Sequence, residues 1–253
     1  DLWPEEAATP VALWPDDATV CSCLHVSCGA IRACMKEGSA TPASIAEKTG
    51  ASTVCGSCQQ IVAELAGAPA LPGPVRGSKV LLIASVIALI AAALVLLLRP
   101  MPFATSVLDA WHKVDVLWRD AFWKQLTGWT LVGIVAVALT LSLRKRIRWL
   151  QFGSFGLWRA VHALLGVLAI LALAVHTGLR MGDNLNFALM LCFVGLSLLG
   201  ALAGVVTAME SRAKGRWAFR ARQWRPALTL AHIVRFWPLP VLLVFHVLAA
   251  YFF

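Results

Sequence analysis

Charge is what this sequence has least of. Only 14% of its 253 residues are Asp, Glu, Lys or Arg, where a soluble domain carries about a quarter. Hydrophobic residues make up 59% and mean hydropathy is +0.76, which excludes an ordinary soluble fold for most of the chain. Acids are the scarcer sign, 13 Asp and Glu against 22 Lys and Arg. The formal charge of +9 does not point to a nucleic-acid partner, because the basic residues bunch between apolar runs instead of covering a polar domain. Such bunching orients a membrane protein. No charged n-region, short apolar stretch and cleavage site opens the chain, so no secretory signal is expected. The sequence begins at Asp1, not Met, so further chain upstream is expected.

Residues 1–17 are Pro-rich and acidic (Pro4, Glu5, Glu6, Pro10, Pro15, Asp16, Asp17), and form a linker or the end of a missing upstream domain. Residues 18–67 are of mixed polarity. They predict a helix from Ser27 to Glu37 stopped by Gly38, and a second short helix opened by Thr41-Pro42-Ala43-Ser44. Residues 68–79 combine Pro, Gly and small side chains as an interdomain linker. Residues 80–253 then hold five apolar stretches, about 80–98, 126–143, 160–179, 184–209 and 227–253, each near or above the ~20 residues of a spanning helix. The expected fold is all-α: a small helical domain followed by a five-helix transmembrane bundle in a lipid bilayer.

Arg144, Lys145, Arg146 and Arg148 follow the second stretch, and Arg212, Lys214, Arg216, Arg220, Arg222 and Arg225 the fourth. Both segments belong on the cytoplasmic side. The expected topology is multi-pass in a bacterial cytoplasmic membrane, with the N-terminal domain cytoplasmic and the C-terminus periplasmic. The charge-balanced segment between the first two stretches carries Trp111, Trp118 and Trp123, which suggests an interfacial helix.

Seven cysteines in a secreted chain would suggest disulfides, but Cys21-x-Cys23 and Cys55-x-x-Cys58 form two close pairs, which suits a metal centre in a reducing compartment. Four thiolates satisfy an iron-sulfur cluster or a structural zinc alike, and spacing does not choose between them. Cys28, Cys34 and Cys192 stand outside these pairs, and His25 between ligands is taken as exposed. The surrounding residues do choose. The C-x-C pair, the 31-residue gap, the closure T-G-A-x-T-x-C-G-x-C and the Val-x-x-Gly-x-Ile helix start, all within residues 20–65, resemble the bacterioferritin-associated-ferredoxin-like domain also found in nitrite and nitrate reductases. That resemblance implies a [2Fe-2S] cluster held by Cys21, Cys23, Cys55 and Cys58.

His162 and His176 lie in the third stretch and His232 and His246 in the fifth, each pair fourteen residues apart. Fourteen residues are nearly four turns, so both histidines of a helix share one face about 21 Å apart. The two stretches are separated by one span and run parallel, so His162 meets His232 and His176 meets His246. Each facing pair suits axial ligation of a haem iron, and intramembrane histidines are costly without a function. Gly166 and Ala169 lie between the histidines, where small side chains leave room for a porphyrin or serve helix packing. Arg159 and Arg235 lie within a turn of the inner histidines, where they suit haem propionates or lipid headgroups equally. Pro238 and Pro240 are expected to bend the last stretch.

The double H-x13-H pattern is similar to the di-haem cores of respiratory cytochrome b and of the ferric reductase and NADPH oxidase group. This similarity implies two haem b groups, on His162, His176, His232 and His246. No cytochrome b quinol-site motif, catalytic dyad, or flavin or nicotinamide domain after the fifth stretch accompanies it. The expected function is electron transfer from a cytoplasmic donor, an NAD(P)H flavoprotein or an upstream flavin domain, through the cluster and both haems to quinone or an external acceptor. Two alternatives stand beside it: a quinol-oxidising subunit feeding a cytoplasmic molybdenum reductase or molybdopterin domain, and a module that docks an iron-storage protein and reduces its iron.

Overall fold

A computed structural model describes residues 11–21, 24–53, 56, 58–68, 77–144, 147, 153–212 and 216–252. Cys23, Cys55, Lys145, Arg146, Arg148 and Lys214 lie outside the described residues, as do residues 1–10 and 69–76 of the two expected linkers. The chain divides into two compact units, Asp1–Arg76 with Arg144–Trp158, and Gly77–Leu143 with Arg159–Phe253.

The first unit opens on a 3-10 turn at Val11–Leu13, followed by β1 (Thr19–Cys21) and β2 (Val26–Ser27), paired antiparallel through a turn in which His25 has φ 54°. This ladder is too short to show as strand periodicity, and it is the one departure from all-helical architecture among the described residues. Helix α1 (Cys28–Lys36) starts where the Ser27 hydroxyl accepts the Ala30 N–H, satisfying one of the donors a helix leaves open. It ends before Gly38, whose φ of 96° an L side chain rarely adopts. Helix α2 (Pro42–Thr49) has Thr41 and Ser44 in a reciprocal capping box, with Pro42 at a position that needs no N–H. Helix α3 (Gln59–Leu65) closes the unit. Cys28, Ile31, Ile45, Ala51 and Val62 are its buried centre.

The regular elements of the second unit are all helices: α4 (Ser78–Leu97), the short α5 (Val116–Arg119), α6 (Ala121–Arg144), α7 (Phe155–Thr177), α8 (Asn184–Arg212), α9 (Arg216–Phe236) and α10 (Pro238–Phe252), with Arg144 of α6 and the first turn of α7 falling in the first unit. Five spans within it are long and apolar enough to cross a membrane, α9 and α10 counting as one over Gln223–Phe252. Lipid offers no water for backbone groups, so only helices that satisfy them internally serve here. Between α9 and α10 the helix breaks at Trp237, one residue before Pro238, whose ring cannot donate and pushes its predecessor out of helical geometry.

Helix α8 is the hub against which α4, α9 and α10 pack. Its contact with α4 is made of small residues: Ala84, Ser85, Ala88 and Ala92 are buried on α4, while Ala201, Gly204 and Ala208 occupy α8, and Gly204 leaves room for the Ser85 side chain. Close backbone approach of this kind is how helices adhere where lipid removes the hydrophobic drive.

The segment before α6 corrects the expected interfacial helix. Trp111 and Trp123 are partly exposed, but Trp118 is 2% exposed, on a four-residue helix. It lies over Gly178 (φ 59°), where a Cβ would come within 2.7 Å of the indole. The segment is further pinned by Met101 N–H donating to Gly178 O (2.9 Å), by Arg180 donating to Met101 O (2.7 Å), and by the buried Asp115 carboxylate accepting the Ala104 N–H (2.9 Å).

Candidate functional site

Two groups of residues carry chemistry, one in each unit. In the first, Cys21 ends β1 and Cys58 caps α3, and both sulfurs are buried. Burial pushes the Cys58 thiol up, a hydrogen bond with Ser52 works against that rise, and the Cys21 thiol beside it adds to it. A thiol so placed gives up its proton to a metal more readily than to water. Ser52 Oγ is 3.4 Å from Cys58 Sγ, held by a backbone at φ 71° that non-glycine residues rarely adopt. Gly56, between Cys55 and Cys58 in sequence, has φ 68°, which only glycine adopts without strain. The structure thus brings two of the four expected ligands together, while Cys23 and Cys55 lie outside the described residues. Cys28 and Cys34 are buried apolar residues of α1, as a lone cysteine most often is.

In the second unit the four histidines form two facing pairs. The ring centres of His162 and His232 are 6.3 Å apart with planes at 88°, and those of His176 and His246 are 6.3 Å apart at 81°. Each ring is oriented by the neighbouring helix. His162 Nδ1 donates to Ala138 O of α6 (3.0 Å) and His232 Nδ1 to Leu196 O of α8 (3.0 Å). His176 Nδ1 lies 3.1 Å from Thr127 Oγ1, and His246 Nδ1 lies 2.8 Å from Asn186 Oδ1.

Tautomer follows from these partners. A carbonyl can only accept, so Nδ1 of His162, His232 and His246 bears the proton. Thr127 donates its own proton to Trp123 O (2.9 Å) or Lys124 O (3.1 Å), so it too accepts from Nδ1. In the neutral rings of His162 and His232, therefore, Nε2 is the atom left with a lone pair, and the same tautomer suits the partners of His176 and His246.

Glycines make these approaches possible. A Cβ at Gly200 would sit 2.7 Å from His232 Cε1, and one at Gly128 would sit 3.1 Å from His176 Cε1. Gly200 is one helical turn after Leu196, so its bare backbone uncovers the carbonyl that His232 uses. Around Gly133 of α6 and Gly166 of α7 an added Cβ would meet nothing within 4 Å, whereas Ala169 is buried in the helix-packing core. Of the two small residues expected to leave space on α7, Gly166 borders space and Ala169 does not.

The sequence reading missed Thr127, Asn186, Gly128, Gly200 and Ser52. Thr127 and Asn186 were visible in principle, as hydrogen-bonding side chains inside apolar stretches.

Residues 19–67 match the family described as the BFD-like [2Fe-2S] binding domain. This part of the chain is accordingly a [2Fe-2S]-binding domain, which suggests electron transfer, joined to five helices consistent with a multi-pass membrane protein. No curated protein and no solved structure matches the chain.

Proposed function

We propose that this chain carries electrons across a membrane, with a [2Fe-2S] cluster held by Cys21, Cys23, Cys55 and Cys58 and one b-type haem held by each histidine pair. The observation that carries the membrane half is the arrangement of the four imidazoles: Nδ1 held by a partner on a neighbouring helix in every ring, and the paired ring centres 6.3 Å apart.

Two neutral imidazoles that each keep the Nδ1 proton for another partner have only Nε2 lone pairs to offer, so a Lewis acid is what suits them. A metal–imidazole bond of about 2 Å, with the nitrogen about 1 Å from its ring centre, puts the centres of two axial rings about 6 Å apart. A bare divalent ion needs about four protein ligands, yet each pair offers two, and no group of three or more His, Cys, Asp or Glu gathers among the described residues. A planar macrocycle that brings its own nitrogens fits this donor set. The hydrogen bonds to Nδ1 fix ring orientation and raise ligand basicity, as partners behind metal-bound histidines do.

When bound, the cluster and the haems supply one-electron redox chemistry, and the protein positions them and tunes their potentials. The basic segments after α6 and α8 support a cytoplasmic N-terminal domain in a bacterial cytoplasmic membrane. On that topology the four cysteines would hold the cluster on the side of a cytoplasmic donor, an NAD(P)H flavoprotein, and the His162–His232 and His176–His246 pairs would hold the two haems on the way to quinone or another external acceptor. The test is cofactor content: pyridine haemochrome and iron and sulfide assays on the purified protein should find two b haems and one [2Fe-2S] cluster per chain. One haem, or zinc without acid-labile sulfide, would overturn the assignment.

A further inference from the structure

Leu-Trp-Pro occurs twice in this chain, and each time two acids and an alanine follow: Leu2-Trp3-Pro4-Glu5-Glu6-Ala7 and Leu13-Trp14-Pro15-Asp16-Asp17-Ala18. The two copies agree at every position, with Glu in one where the other has Asp. Such agreement marks a repeated element, not the loose composition of a linker.

The second copy shows what the element does. Trp14 packs against the buried centre of the [2Fe-2S] domain. The Asp16 carboxylate pairs with Arg32 of α1, and Arg32 Nη2 donates to Ala12 O at 2.8 Å. The Asp16 and Ala18 carbonyls accept the N–H groups of Gly29 and Cys28, each at 2.8 Å, and so satisfy donors that the first turn of α1 leaves open. The element is a clasp on this domain, with an indole on its core and an acid on a cation of α1.

Beside that clasp lies an open groove of about 420 Å³, lined by Ala12, Arg32, Met35, Lys36 and Leu65. Its volume is that of a pocket for a ligand-sized group. Met35 and Leu65 rest on the same buried centre as Trp14, while Arg32 and Lys36 lie one turn apart on α1 and bring positive charge. Arg32 is engaged by the second copy, and among the described residues no carboxylate pairs with Lys36. The groove thus offers apolar contact next to an unmatched cation. An indole followed by acids is its complement, and the first copy is such a segment. Trp3 is nine residues from Ala12, about 30 Å of extended chain, and Ala12 is itself a wall of the groove.

We propose that Leu2–Glu6 docks in this groove of its own chain, with Trp3 against Met35 and Leu65 and the Glu5–Glu6 pair at Lys36. Trp3 supplies most of the binding, because buried aromatic anchors dominate interfaces and an exposed ion pair adds little. The charges select the register. Nothing in this inference depends on the haem reading.

The experiment uses the full-length protein in lipid nanodiscs with 5-fluorotryptophan in place of tryptophan, read by 19F NMR. The Trp3 resonance is the one lost in Trp3→Phe. In wild type it should show no shift between H2O and D2O, the mark of an indole out of solvent, and dilution should not change this. Lys36→Glu, and separately Glu5→Lys with Glu6→Lys, should move it to the solvent-sensitive position of a free indole, and the three substitutions together should bring it back. The visible spectrum of the cluster reports whether each variant is folded. If Lys36→Glu does not fold, the Glu5→Lys, Glu6→Lys protein decides, since its changes lie outside the buried centre. A solvent-sensitive Trp3 in wild type, or a protected one that ignores these charge reversals, overturns the proposal. Protection that vanishes on dilution also overturns it, and assigns the groove to a second copy of the chain.

Discussion

His232 rests against Gly200 so closely that a Cβ there would sit 2.7 Å from its Cε1. The ring reaches Leu196 O across backbone that a side chain would cover, so the orientation of one histidine depends on the absence of a methyl group on another helix.

If each histidine pair holds a haem as proposed, Gly200→Ala should cost one haem and not the other. The added methyl pushes His232 off Leu196 O and away from His162, while His176 and His246 are held by Thr127 and Asn186. Haem content per chain should fall from two toward one, with the protein still inserted in the membrane. Equal loss of both haems, or of neither, would show that this glycine does not set the geometry.

The pairing itself is tested by single histidine replacements. His176→Ala and His246→Ala should erase the same spectral component, and His162→Ala and His232→Ala the other, read as low-temperature α-band spectra. If His176→Ala and His232→Ala share a component, the two haems are not held as proposed.

Thr127→Val replaces the hydroxyl that accepts from His176 Nδ1 with a methyl of similar volume. Loss of such a partner typically weakens metal binding roughly 10- to 100-fold, so the haem of the His176–His246 pair should be lost first on titration with apomyoglobin, with Thr127→Ser close to wild type. Identical loss rates for both haems in Thr127→Val would refute this role.

Ser52 bears on the cluster in the same manner. Once Cys58 is a metal-bound thiolate, only the Ser52 hydroxyl has a proton to give, and a hydrogen bond to sulfur stabilises the more negative, reduced cluster. Ser52→Gly removes the hydroxyl and relieves the positive φ together, so it should lower the cluster potential in an EPR-monitored titration without destabilising the domain. An unchanged potential would place Ser52 outside the cluster's influence.

Cys55→Ser should weaken or abolish the cluster, because thiolate is the softer and better ligand for iron. Both haems should remain, held by histidines of the other unit. In stopped-flow absorbance with the native donor, haem reduction should slow severely, while dithionite still reduces both. Haem reduction at the wild-type rate in a variant without its cluster would take the cluster off the path and favour a docking role for the N-terminal domain.

The starts and stops of α1 and α2 were legible in residues 27–50, since a Ser or Thr cap, a Pro in the first turn and a Gly after the last are local chemistry. The five apolar spans were legible for the same reason: length and hydropathy are properties of consecutive residues. So were the cysteine pairs and the fourteen-residue histidine spacing, because the helical repeat converts sequence distance directly into a shared face. The acceptors that set the histidine tautomers were of another kind. Ala138 and Leu196 act through backbone carbonyls that every residue has, and only the packing of α6 on α7 and of α8 on α9 selects them. Trp118 was expected at an interface by its type, and is instead buried against Gly178, where a Cβ would come within 2.7 Å of the indole. Arg235 fits lipid headgroups or haem propionates equally by its letter, and only the packing of α8 on α9 makes Leu191 O its acceptor. Periodic and local features follow from a residue's neighbours in sequence, whereas a hydrogen-bond partner on another helix depends on where a side chain is missing, and that is a property of the packed bundle.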